Sequence, residues 1–284
     1  MSADQPEFDA PLLLNRYQPR QLLARGSTAL VFRATDGVLG RDVAIKHFNA
    51  YAEADVTAFN DEVRTLARLN HHGIVAINDA GIDLSSPDEP HPFLVMEFVQ
   101  GKTLRETIAE RRLSTSEIGE VGFEVAEALE YVHAQGVIHR DITPSNILLV
   151  NYGTTSSRTR ARLTDFGIAI AVGTRHVPGS PTAGTAAYLS PEQVQGVSLT
   201  PASDIYSLGL VLLECFTRER AFPGERVESA MARVDNDPPM PGSVPDTWKT
   251  ILGAMVSRDP ADRPTAADLA RDIRLALRHS GRHT

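Results

Sequence analysis

The 284-residue chain, 42% apolar and 23% charged, has the composition of an ordinary globular protein long enough to bury a sizeable core. A net charge of -8, with no long block of like charges, excludes a general nucleic-acid binder and an interaction tail. The lone cysteine, Cys215, excludes an internal disulfide, and the longest apolar run, Leu208 to Phe216, is too short to span a bilayer. No signal peptide opens the sequence, so the expected location is the cytoplasm, either as such or as the cytoplasmic domain of a longer membrane protein.

Residues 1–16 are acidic, carry two prolines and show no period, which reads as a flexible lead-in. Three strand-like runs follow, Tyr17–Ala24, Leu30–Ala34 and Asp42–Phe48, broken by turn signals at Gly26-Ser27 and Asp36-Gly37. The third run contains Lys46, one of three lysines (with Lys102 and Lys249) against twenty-five arginines. A lysine in an apolar strand usually snorkels to water. Where arginine is the default cation, it also suits a crowded cleft in which a slim ammonium must reach a phosphate.

Val56, Phe59, Val63, Leu66 and Leu69 then recur at helical spacing. Two more strand-like runs, Ile74–Asn78 and Phe93–Val99, flank an exposed loop over Ser85–Pro92. After Gly101 the pattern turns helical. Ser114-Thr115-Ser116-Glu117 is a capping box opening a helix whose inner stripe is Ile118, Val121, Val125, Ala128, Leu129 and Val132. Asn151–Arg160 reads as an expanded hairpin loop, and further helices are expected over Pro201–Thr217, Asp246–Met255 and Thr265–Leu277. The whole is an α+β chain of two lobes: residues 17–96, a hinge at 97–101, a mostly helical lobe over 102–277, and a tail over 278–284.

The chemistry gathers in a few short blocks. His139-Arg140-Asp141-Ile142-Thr143-Pro144-Ser145-Asn146 is followed by Asp165-Phe166-Gly167, with Val43-Ala44-Ile45-Lys46 upstream and Ser190-Pro191-Glu192 downstream. Two carboxylates and an amide at this spacing can hold a metal-bound triphosphate and an incoming hydroxyl. A chance His-Arg-Asp would not also bring an asparagine five residues past the aspartate and an Asp-Phe-Gly nineteen residues beyond that. In this order the blocks resemble the bacterial Ser/Thr protein kinases of the eukaryotic-like type, particularly those of actinobacteria, from Tyr17 to about Leu277.

That resemblance implies a bilobal protein-kinase fold, with an antiparallel sheet and one helix in the N-lobe and a mainly helical C-lobe. It implies ATP-dependent phosphoryl transfer to Ser/Thr hydroxyls of protein substrates, with Mg2+ as the expected ion and Mn2+ as the alternative. Asp141 becomes the catalytic base, Asn146 and Asp165 the metal ligands, and Lys46 the cation on the α- and β-phosphates, paired with Glu62. Leu23-Ala24-Arg25-Gly26-Ser27-Thr28-Ala29-Leu30-Val31 takes the place of the phosphate-covering loop. Leu23, Val31, Ala44 and Leu148 would sandwich the adenine, Met96 would back it, and backbone groups of Glu97 and Val99 would bond its edge. His139 would brace its loop and Arg140 would meet a phosphorylated residue of the activation segment. Thr174, Ser180 and Thr182 are the candidates there, Thr182 favoured, with self-association for trans-autophosphorylation. Thr185 would lie near the acceptor hydroxyl, Glu192 would pair with Arg263, and Asp204 would brace the catalytic loop.

Two departures bear on activity. Thr143 stands where such kinases carry a lysine for the γ-phosphate, and Ala24 and Ala29 stand where the loop has glycines. Electrostatic stabilisers of a transferring group are commonly worth a few kcal/mol, so losing one lowers a rate by order 10²-fold. A nucleotide-sensing pseudokinase and a small-molecule kinase of related fold are therefore the competing readings.

Overall fold

The computed structural model describes residues 12–26, 28–49, 56–85, 90–153, 158–166 and 185–280. The chain divides into two compact units and passes from the first to the second between Gln100 and Gly101, with His71–Ile74 also belonging to the second. This is the expected α+β protein-kinase architecture: a sheet with one helix, then a mainly helical unit.

In the first unit β1 (Tyr17–Arg25), β2 (Ala29–Asp36), β3 (Arg41–Phe48), α1 (Val56–Leu66), β4 (Ile77–Asp83) and β5 (His91–Glu97) succeed one another. The strands form an antiparallel sheet in the order β1-β2-β3-β5-β4. Alternation along the strands gives each face its own task. One face carries the core of Leu13, Tyr17, Ala34, Val43, Ile45, Phe93 and Val95. On the other, Val31 stands opposite Lys46 and Ala44 opposite Met96. The α1 stripe of Phe59, Val63 and Leu66 is buried, and Phe59 meets Phe48 edge to face at 5.9 Å.

Several boundaries differ from the sequence reading: β5 starts at His91 with Pro92 buried, inside the loop expected over Ser85–Pro92, and ends at Glu97 before Val99, while β4 runs on to Asp83. The lead-in is shorter than residues 1–16: the backbone turns at Leu14 and Asn15 (φ 52° and 53°), bridging Leu13 to Tyr17 and sinking Leu13 into the core. Ile74 and Val75 are not strand, because Ile74 forms an isolated parallel bridge to Leu163 of the second unit's own sheet. The apolar run there serves two structures, and β4 begins three residues late.

The second unit contains β6 (Lys102–Thr103), α2 (Leu104–Glu110), α3 (Thr115–Ala134), β7 (Ile147–Val150), β8 (Arg160–Leu163), α4 (Pro191–Gln195), α5 (Pro201–Thr217), α6 (Arg226–Asp235), α7 (Asp246–Met255) and α8 (Ala266–Ser280). The expected box at Ser114 and Glu117 caps α3, and the hairpin β7–β8 carries the expected loop between Val150 and Arg160. Gly101 admits the hairpin: a Cβ there would lie 2.4 Å from the Leu149 carbonyl oxygen. Gly209 likewise lets α5 approach Val256, whose Cγ1 would be 2.7 Å from an added Cβ. Two of the three lysines hold surface ion pairs in this unit, Lys102 to Glu110 at 2.6 Å and Lys249 to Asp246 at 2.9 Å.

The edge of the first unit is pinned by a buried carboxylate. Arg16 donates two hydrogen bonds to Asp36, at 2.8 and 2.7 Å, and the Val38 and Leu39 amides donate to the same side chain. These bonds, Arg16 first, hold the Asp36 carboxyl well below the usual carboxylate range. A depressed folded value means that its contribution is complete above the unfolded pKa and is lost as pH falls through the folded one. Asp36→Asn is therefore expected to lower the melting temperature at pH 7 and to flatten the loss of stability below pH ~4, read by thermal melts across pH. Equal melting temperatures of variant and wild type at pH 7 would sink this account.

Candidate active site

The first unit holds the nucleotide-side candidates on one sheet face. Val31, Ala44 and Lys46 are half-buried there and Met96 is buried, while Leu23 is exposed. The Lys46 ammonium lies 5.6 Å from the centroid of the Phe48 ring. Glu62 sits half-buried on α1. Between β1 and β2 the Gly26 amide donates to the Ala29 carbonyl at 2.9 Å, with Arg25 paired to Leu30. Ala29 is buried beneath this turn, Ala24 and Arg25 are exposed, and Ser27 lies outside the described residues. At the end of β5 the Glu97 amide donates to the Ala76 carbonyl at 2.9 Å, and Val99 follows half-buried.

The second unit holds the candidates for chemistry. Asp204, buried in the first turn of α5, accepts the backbone amides of His139 and Arg140, each at 2.8 Å, and His133 Nε2 at 2.8 Å. Sequence puts these groups more than sixty residues apart, and one carboxylate gathers them. His139 is fully buried, and burial pushes its imidazole pKa down. Its two nitrogens have opposite tasks: Nε2 donates to the Thr164 carbonyl at 3.1 Å and Nδ1 accepts the Asp141 amide at 3.3 Å. Only the neutral ring does both. His139 thus braces Asp141 on one side and the residue before Asp165 on the other, with the Phe166 ring 4.5 Å away.

Asn146 closes the loop. Its Nδ2 donates to the Asp141 carbonyl and to Asp141 Oδ2, both at 2.9 Å. The amide's donor end is thereby committed to Asp141, and its oxygen is the end available to a hard cation. Arg140 and Asp165 both adopt left-handed backbone, φ 68° and 61°, a conformation that non-glycine residues take at a cost. Thr143 is buried and leads the short 3-10 turn Pro144–Asn146, its carbonyl accepting the Asn146 amide at 3.0 Å. Leu148 is half-buried on β7.

Beyond the loop, Glu192 on α4 and Arg263 form a buried two-point ion pair at 2.7 and 3.0 Å. Gly167, Thr174, Ser180 and Thr182 lie outside the described residues. Thr185 begins a 3-10 turn ending at Tyr188. The Tyr188 hydroxyl sits between Arg105 and Glu214, which pair with each other at 2.5 Å. Burial, reinforced by the Glu214 charge, raises that hydroxyl's pKa. Sequence reading passed over Tyr188, Arg105, Glu214 and Gln193. Only Gln193 carried a visible signal, as the fourth residue of a Ser-x-x-Gln capping box. Arg140 Nε is buried and makes no hydrogen bond among the described residues.

Asn146 and Asp165 offer hard oxygen donors, which fits a small divalent cation. Among the described residues no cluster of three or more His, Cys, Asp or Glu could hold a metal, so phosphate and water would complete its shell. No helix among the described residues is long and apolar enough to cross a membrane.

Residues 17–273 match the protein kinase domain family. The chain is 36% identical over 266 residues to the serine/threonine-protein kinase PknL of Mycobacterium tuberculosis, covering 90% of this chain and 64% of that one. It is 34% identical over 273 residues to PknA of the same organism, covering 94% and 62%. To the probable serine/threonine-protein kinase SCO3848 of Streptomyces coelicolor it is 37% identical over 276 residues, covering 92% and 40%. The chain thus spans less than two thirds of the length of these relatives. Since the match runs from the first strand into the last helix, this chain belongs to the protein kinase domain family, alongside the eukaryotic-like Ser/Thr kinases of actinobacteria.

Proposed function

We propose that this chain transfers the γ-phosphoryl group of ATP to serine and threonine hydroxyls of proteins. The observation that carries the reading is the double hold of Asn146 on Asp141, backbone and side chain together. It holds a carboxylate to receive a proton and leaves the amide oxygen of Asn146 for a cation. In the transfer, the substrate hydroxyl oxygen bonds to the γ-phosphorus and the bond to the β–γ bridging oxygen breaks. The hydroxyl proton passes to the Asp141 carboxylate and ADP leaves. Positioning and charge neutralisation are most of what this chemistry asks of a protein.

The other roles divide between the units. Lys46 neutralises the α- and β-phosphates, and Glu62 orients it once nucleotide is bound. In the first unit Leu23, Val31, Ala44 and Met96 are the adenine-side residues, with backbone groups of Glu97 and Val99 for its edge, and Leu148 is the second unit's adenine candidate. The turn from Leu23 to Val31 covers the phosphates with one glycine, Gly26, where amides can approach closely. Asn146 and Asp165 would hold Mg2+, with Mn2+ as the alternative, and the ion would supply charge neutralisation at the phosphates. Glu192 with Arg263, and Asp204 with the His139–Arg140 backbone, keep these groups in place. The His139 ring stays neutral and takes no proton from substrate. Thr185 lies beside the acceptor hydroxyl. The partners are protein substrates and a second copy of the chain, and the compartment is the cytoplasm.

Phosphate incorporation from Mg·ATP into a protein acceptor is expected from the wild-type chain and is expected to fall by at least ~10²-fold in Asp141→Asn. Equal signals in the two would mark a nucleotide-binding scaffold, and transfer to a small alcohol but to no protein would mark a small-molecule kinase. At Thr143 a neutral hydroxyl stands where a cation would meet the γ-phosphate, so Thr143→Lys is expected to raise kcat about tenfold or more. An unchanged kcat would mean that another cation already serves. Peptide mapping of active protein is expected to find phosphate on Thr182, whose dianion would meet Arg140. Fully active protein unmodified between residues 167 and 184 would remove that regulatory step.

A further inference from the structure

One side chain outside the roles above ties two of them together. Gln193 is buried on α4, and its amide has two different partners. Its Oε1 accepts the Ser190 amide at 2.8 Å, with Ser190 Oγ at 3.2 Å, which completes the capping box of that helix. Its Nε2 donates to the Arg140 carbonyl at 2.8 Å, fifty-three residues away in sequence. The amide's orientation follows from its neighbours, since a backbone N–H needs an acceptor and a carbonyl needs a donor.

Arg140 is the residue whose left-handed backbone carries the chain into Asp141. Its amide is taken by Asp204 at 2.8 Å and its carbonyl by Gln193 at 2.8 Å. A strained conformation persists where its surroundings over-determine it, and here both ends of one residue are gripped by different helices. Glutamate, the other residue of a capping box, would cap α4 equally well. As a carboxylate it would offer the Arg140 carbonyl no proton.

We propose that Gln193 is a positioning residue: its amide couples the cap of α4 to the backbone of Arg140 and so sets the direction in which Asp141 is presented. The helix carrying Glu192 then reports its placement to the catalytic loop through one hydrogen bond. The kinetic consequence rests on the phosphotransfer reading; the structural one does not.

The experiment compares Gln193→Glu with Ser190→Ala at pH 8. Gln193→Glu keeps the cap and loses the donor, whereas Ser190→Ala weakens the cap and keeps the donor. Amide hydrogen exchange over residues 139–141 is expected to quicken about tenfold in Gln193→Glu, the factor one lost buried hydrogen bond supplies, and to stay unchanged in Ser190→Ala. Melting temperature is expected to fall in Ser190→Ala. In the same proteins kcat is expected to drop about tenfold in Gln193→Glu with KM for ATP within twofold, and to hold in Ser190→Ala. If Gln193→Glu fails to fold, Gln193→Met removes the donor and the cap acceptor together, and quickening at 139–141 beyond that in Ser190→Ala, which weakens the cap alone, is then the expected result. Unchanged exchange at 139–141 in the Gln193 variant, or equal quickening in both variants, overturns the proposal. If wild type transfers no phosphate while the exchange contrast appears, the phosphotransfer reading fails and the positioning role stands. Exchange that quickens with no fall in kcat overturns the link to Asp141.

Discussion

The loop that carries Asp141 in the second unit depends on one buried carboxylate. Asp204 sits in the first turn of α5 and receives the two consecutive amides that precede Asp141, together with an imidazole. A helix start is a favourable place for a negative charge, because the amides of the first turn lack partners and the dipole points its positive end there. The loop bearing the catalytic candidates contributes little regular structure of its own. Its shape is borrowed from a long apolar helix whose burial supplies the rigidity.

Around that anchor the loop is held from several sides by groups that each serve two partners. His139 accepts from Asp141 and donates to Thr164. Asn146 donates twice to Asp141, and Gln193 grips α4 and Arg140 at once. Neutral, bifunctional side chains suit this task. A charged group in their place would face desolvation without a full complement of opposite charge. The buried ion pair of Glu192 with Arg263 is bidentate, and Arg263 also donates to the Ser257, Ala202 and Arg258 carbonyls. Such a pair contributes less to net stability than to a defined placement, because burying both charges offsets much of their attraction.

Much of this was legible in the sequence, for identifiable reasons. The helices over Pro201–Thr217 and Asp246–Met255 have apolar stripes strong enough to announce themselves, and their bounds match the structure. The order of the His-Arg-Asp, Asp-Phe-Gly and Ser-Pro-Glu blocks pointed to a kinase fold because those residue types are tied to their chemistry. What stayed hidden was non-local. The burial of Leu13 depends on a turn formed by two non-glycine residues with positive φ, which no turn signal marks. The run Ile74–Asn78 looked like one strand because periodicity cannot show that Ile74 is claimed by a partner near residue 163. The short helix α6 went unread although Val227, Ala230, Met231 and Val234 stand at helical spacing, and in the structure Ser229 and Arg233 are buried while Val227 and Met231 are exposed. The partnership of Arg105, Tyr188 and Glu214 joins residues from three distant stretches, none of which has a local signature.

The scarcity of lysine has a consequence for reactivity. Only three side chains in the protein carry a primary amine, and two of them stand at the surface in ion pairs with Glu110 and Asp246. The third is Lys46, on the sheet face shared with Val31, Ala44 and Met96. Acylating reagents, and enzymes that modify amines, therefore find few targets on this chain. Most proteins scatter such groups over their surface as bystanders. Here a third of them sits on that one sheet face, and amine labelling mapped to Lys46 reports on it directly.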